Sequence, residues 1–132
     1  MTRRPTMELG VGELNLLVTG LEGKTIHAWN KPGALGIVRI NGPTFRECGT
    51  DVDGHMAMDY NPAGRWLDGG PIIEREKIAI AHGTALAAGF TLWHAIMPGT
   101  PDASRSITGS TPLIAAMRCY VTSKLGEEVE LP

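Results

Sequence analysis

Thr111-Pro112-Leu113-Ile114-Ala115-Ala116-Met117-Arg118-Cys119-Tyr120-Val121-Thr122-Ser123-Lys124-Leu125-Gly126 decides the fold. Thr111 offers a hydroxyl to the free amides of a helix start, Pro112 suits the first helical position, and Gly126 suits the left-handed residue that ends a helix. At about 100° per residue, Leu113, Ile114, Ala116, Met117, Tyr120, Val121 and Leu125 fill one half of the wheel. Arg118, Cys119, Thr122 and Ser123 fill the other. An apolar half-wheel is broad enough to lie on a sheet, so the stretch predicts a core helix.

Working outward, two segments upstream alternate as strands do. In residues 77–82, Ile78, Ile80 and His82 oppose Lys77, Ala79 and Ala81. In residues 90–96, Phe90, Leu92, His94 and Ile96 oppose Thr91, Trp93 and Ala95. Joined through residues 83–89, they form an antiparallel hairpin with Ile80 facing Leu92. The alanines at 79, 81, 85, 87 and 88 also suit a helix, but Gly83 and Gly89 favour the hairpin. Near the start, Leu14, Leu17, Val18 and Leu21 recur at helical spacing and predict a helix over residues 12–21. Residues 65–76 carry Trp66, Ile72 and Ile73 on a helical face. Gly69-Gly70-Pro71 interrupts it, predicting two short turns or a kinked helix. Between these helices, residues 25–29 and 36–40 have short β patterns around the turn Lys31-Pro32-Gly33, and residues 48–61 read as an ordered loop.

The expected class is therefore α+β: a small antiparallel sheet with a β-hairpin, packed by N-terminal, middle and C-terminal helices. The 132 residues fit a single domain, with residues 1–8 and 127–132 flexible. Composition is that of an ordinary globular chain, with 42% hydrophobic and 20% charged residues. A net charge of −2, with Arg3-Arg4 the one basic doublet near the start, disfavours nucleic-acid or anionic-membrane binding. No apolar run reaches the ~20 residues of a membrane span. The N-terminus has no apolar core of a signal peptide, so a cytosolic location is expected. Cys48 and Cys119 lack C-x-x-C spacing and read as independent thiols.

Catalytic chemistry finds few candidates. Asp51-x-Asp53-Gly54-His55 offers two carboxylates and an imidazole, but it lacks the ligand pattern of calcium loops or zinc sites and reads as a polar turn. His82 and His94 share a face of the expected hairpin, yet its register sets them on the order of 13 Å apart. Cys119 falls on the outer half of the last helix, with no neighbouring base. Ser110 reads as helix entry, and Gly33-Ala34-Leu35-Gly36 lacks the lysine and spacing of a phosphate loop. No catalytic set, metal site or cofactor is predicted. The candidate binding surface is Tyr60, Trp66, Trp93 and His94. Trp66 also suits the core, and Trp93, facing away from Phe90, Leu92 and Ile96, either packs under a second layer or lies exposed to a partner.

Two boxes resemble a known family. Trp66-Leu67-Asp68-Gly69-Gly70-Pro71-Ile72-Ile73-Glu74-Arg75-Glu76 and the run from Ser110 to Val129 are similar to boxes of the NinX-like phage proteins. A degenerate N-terminal box, Glu13-Leu14 with Val18 and Glu22-Gly23, precedes them. A broader group of phage α/β/α-sandwich domains is also similar. Tyr60-Asn61-Pro62-Ala63-Gly64-Arg65 departs from the Ser-Thr-Asp cap usual before the tryptophan. The resemblance implies a phage or prophage origin and an architecture, and no activity. The expected function is a phage accessory protein that acts as a protein-interaction module on an unidentified host or phage protein, or on its own copy. The alternatives are a small enzyme assembled around the 48–55 loop and, more weakly, a nucleic-acid accessory protein.

Overall fold

The computed structural model describes residues 2–24, 26–29, 38–41, 49–50, 56–85, 90–99 and 106–131. In chain order the elements are β1 (Thr2–Pro5), a 3-10 turn (Thr6–Glu8), α1 (Val11–Leu21), β2 (Ile26–Trp29), β3 (Val38–Asn41), β4 (Gly49–Thr50) and β5 (Met56–Tyr60). There follow α2 (Trp66–Glu76), β6 (Ala79–Ala85), β7 (Phe90–Ile96), β8 (Ile107–Gly109), α3 (Pro112–Leu125) and β9 (Glu128–Leu131). All strand pairs are antiparallel, in sheets of order β1-β9, β2-β3-β5-β4 and β6-β7-β8. Three helices with small antiparallel sheets make the expected α+β class.

Helix α3 is central. The Thr111 hydroxyl accepts from the Ile114 amide at 3.1 Å, and Gly126 ends the helix at φ 98°. Leu113, Ala115, Ala116, Met117, Cys119, Tyr120 and Val121 are all buried. Ala115 and Cys119 widen the buried arc to roughly 240°, well past the predicted half-wheel. Cys119 thus lies inside the core, not on the outer half, and burial pushes its thiol up to about 11. Arg118 spans two neighbours: its guanidinium donates to the Leu9 and Thr108 carbonyls, both at 3.0 Å.

The hairpin forms with a different register. Ile80 lies opposite Ala95, His82 opposite Trp93 and Gly83 opposite Leu92. An odd shift from the expected pairing changes which side chains share a face. Ile80, Trp93 and Ala95 now point to the core, with Ile107 beside Ala95 on β8. Leu92, His94 and Ile96 take the opposite face. The expected pairing of Ile80 with Leu92 is therefore corrected, and His82 and His94 lie on opposite faces.

The middle segment also differs. Residues 48–61 are not a loop throughout: Met56–Tyr60 is a strand flanked by β3 and β4, with Val38 facing Tyr60 and Ile40 facing Met58. Val38, Ile40 and Tyr60 form a second small core. Strands β2 and β3 pair as expected, while the Lys31-Pro32-Gly33 turn lies outside the described residues. The chain ends, expected to be flexible, pair with each other: Thr2 faces Leu131 and Pro5 faces Glu128. Val129 and Leu131 point inward while Glu128 and Glu130 point out. Thr6 joins the ribbon to α3, its amide donating to the Glu127 carbonyl and its hydroxyl to the Gly126 carbonyl, each at 2.8 Å.

Helix α2 is one continuous helix despite Pro71. The missing amide would have bonded the Leu67 carbonyl one turn back. Leu67 and Pro71 both face solvent, where water can take that carbonyl. Gly69 serves a different need from the expected break. A Cβ there would sit 2.3 Å from the Pro62 carbonyl oxygen and 2.7 Å from Leu113 Cδ2, whereas at Gly70 it would meet nothing within 4 Å. Gly69→Ala should lower stability by about 1–3 kcal/mol through overpacking. Gly70→Ala should be neutral or gain up to about 1 kcal/mol from helix propensity. Urea melts of the two variants check the contrast. Met117→Ala should cost about 2–5 kcal/mol in the same assay.

Candidate interaction site

Helix α2 is fixed at both ends by polar side chains. No side chain caps its first turn in the usual way, because Arg65 occupies the N-cap position. The Arg65 carbonyl takes the Asp68 and Gly69 amides, and the Asp68 side chain instead holds the turn that leads into the helix. Its Oδ2 accepts from the Asn61 amide at 2.9 Å and from the Arg65 guanidinium at 3.0 and 2.7 Å. A carboxylate in the first helical turn also lies at the positive end of the helix dipole. Arg65 in turn donates to the Asp59 carbonyl at 2.6 Å. Asn15, fully buried on α1, donates to the Asn61 side chain at 2.7 Å and accepts from the Ala63 amide at 2.9 Å. The turn before α2 is thus tied to α1 and to its own helix.

The C-terminal end is held by a second network. Arg75 donates two hydrogen bonds to Glu22, at 2.7 and 2.8 Å, and one to Glu76 at 2.9 Å. Tyr120 on α3 donates to the same Glu22 carboxylate at 2.7 Å, and Lys124 stands 3.5 Å from Glu76. The ends of all three helices meet here. Glu22 is held below the usual carboxylate range, first by the Arg75 hydrogen bonds, against the opposing effect of burial. Tyr120 is pushed up to about 12 by burial and by the carboxylate it serves. Lys77 closes α2 in the left-handed conformation at φ 56°.

Between these anchors the outer face of α2 is apolar and open. Trp66 is 56% exposed and Leu67 79% exposed, and Pro71 lies one turn on from Leu67. The core reading of Trp66 is corrected. The inward face of the helix carries Asp68, Gly69 and Ile72, which leaves Trp66 outside.

The other three candidate residues do not join it. Tyr60 is buried at the end of β5, its ring 5.0 Å below the Lys24 ammonium, and burial raises its hydroxyl pKa above the ordinary value. Trp93 packs partly buried against the main core and lies 4.6 Å, centroid to centroid, from the His82 ring. His94 is on the other face of β7, with Nδ1 3.1 Å from Ser106 Oγ. That contact resembles a nucleophile and its base, but no carboxylate hydrogen bond orients the imidazole among the described residues. Of the Cys48–His55 enzyme candidate only Gly49–Thr50 are described, and its cysteine, aspartates and histidine lie outside. Among the described residues no group of three or more His, Cys, Asp or Glu could hold a metal ion. Likewise, no helix there is long and apolar enough to cross a membrane.

The family described as "Bacteriophage P22, NinX" matches residues 7–124. The chain belongs to the NinX family of phage proteins. No curated protein matches it. The match spans α1, α2 and most of α3, so both polar anchors of α2 and its exposed tryptophan lie within the NinX region. The anchors were not legible beforehand. Asn15, Asn61 and Asp68 look like ordinary surface residues, and only the fold brings positions 15 and 61 together. The one available signal was the i, i+3 spacing of Arg65 and Asp68, which suits an ion pair at a helix start.

Glu22 predicts an acid-sensitive anchor. Its pKa is lower folded than the ordinary 4.5, so its contribution is present above that pH and lost as pH falls through the folded value. The melting-temperature gap between the native chain and Glu22→Gln should be widest near neutrality and shrink below about pH 4. Tyr120 has the opposite sign: its contribution holds below about 10 and fades as pH rises towards about 12.

Proposed function

We propose that this phage protein is a protein-interaction module, working in the host cytosol, with α2 as its recognition element. Its partner is a host or phage protein that presents an apolar cleft to the Trp66–Leu67 turn. The observation that carries this reading is an exposed tryptophan beside an exposed leucine on a helix anchored at both ends. Tryptophan is enriched among the residues that dominate interface energies, because it buries a large apolar area with few rotatable bonds. Anchoring matters equally, since a helix already held in its bound shape loses little entropy on association. The small negative net charge supports a protein over a nucleic acid as the target.

Trp66→Ala separates this reading from a structural role. Its stability should lie within about 0.5 kcal/mol of the native chain, as for other surface substitutions. A photo-crosslinking amino acid placed at position 67 should give a discrete protein adduct in infected cells, and Trp66→Ala should suppress it. The same probe at the exposed Ala81 should not produce that adduct. Identical adducts from both positions, or one indifferent to Trp66→Ala, would remove α2 from the role.

A further inference from the structure

A second surface lies on the far side of α3, where its C-terminal end meets the ribbon of the two chain ends. A groove of about 630 Å³ opens there. That is within the ~300–1,000 Å³ usual for small-ligand and side-chain sites. Its apolar lining comes from four separate elements: Pro5 on β1, Met7 in the 3-10 turn, Ile107 on β8 and Leu125 on α3. Met7 is 39% exposed and Leu125 47% exposed, so large apolar side chains face this space.

The groove is also charged on one side. Glu127 and Glu128 line it, and Glu130 follows two residues later on the same face of β9. Arg3 is the one cation lining it, held 3.0 Å from Glu128 and 3.9 Å from Glu130. Three carboxylates against one guanidinium leave the rim acidic. The C-terminal end of α3 adds the negative pole of its dipole at the same place. Thr122 completes the lining, and its Oγ1 is buried without a hydrogen-bond partner, the only such side-chain atom among the described residues.

We propose that this groove binds a short peptide segment in which an apolar side chain is flanked by lysine or arginine. The apolar residue sits over Met7, Ile107 and Leu125, and the cation meets Glu127 and Glu128. This site shares no residue with the α2 face and does not rest on the function proposed for it.

The test is chemical-shift mapping of the full-length protein with a Leu-Lys-Leu-Lys peptide, and with Leu-Glu-Leu-Glu as control. The lysine peptide should shift Met7, Ile107, Thr122 and Gly126, and the glutamate peptide should leave them unchanged. Leu125→Lys, on an exposed side chain, should weaken binding at least tenfold. Trp66→Ala should bind as the native chain does. Four results would overturn the proposal: no shifts at millimolar peptide, equal response to both peptides, shifts centred on Trp66 and Leu67, or concentration-dependent shifts without peptide that show a second copy filling the groove.

Discussion

Helix α3 buries side chains over about two thirds of its circumference, and the other elements are arranged to cover it. The hairpin supplies Ile80, Trp93 and Ala95 to one flank. Helix α1 supplies Leu14 and Val18 to the same core, α2 supplies Ile72, and the last strand closes the far end with Val129 and Leu131. A helix buried so widely leaves little surface of its own outside its last turn. The task of meeting another molecule therefore falls to the elements around it. Of these, α2 touches α3 through Gly69 and Ile72 on one narrow face and has the opposite face free.

That narrow contact explains the polar anchors. An 11-residue helix is marginal in isolation, and α2 contains a proline and two adjacent glycines. Burial of Ile72, with Ile73 partly covered, is a modest stabilisation for such a segment. At the start Asp68 holds the preceding turn, which Asn15 ties to α1, and at the end Arg75 bonds Glu22 just after α1 and Tyr120 on α3. The hydrogen bonds of Asp68 and Arg75 are charge-assisted, and Asp68 and Glu22 are largely shielded from water, which makes them stronger than exposed ion pairs. The result is a short helix that keeps its shape while showing Trp66 and Leu67 to solvent.

Much of this architecture is readable in the residues. Thr111, Pro112 and Gly126 bound α3 because capping is local chemistry, and the spacing of Leu14 and Val18 marks α1 for the same kind of reason. Non-local choices are harder. The hairpin register depends on how its connecting loop closes, and a shift of three from the expected pairing moves Trp93 onto the core face. Met56–Tyr60 has no β-branched residue, so its strand character comes from pairing on both sides. Cys119 is buried because neighbours cover a wider arc than its own helix predicts. The candidate site was legible only in part: Trp66 stood out by type, but its exposure follows from Gly69, which turns the opposite face of α2 inward.

The direct measurement of this account is amide hydrogen exchange along α2. Amides of residues 69–77, Pro71 apart, are expected to exchange with protection close to that of α3, because opening α2 requires breaking anchors to both other helices. Exchange there at rates near those of an unprotected segment, with α3 still protected, would contradict the claim that α2 is a rigid helix displaying an exposed tryptophan.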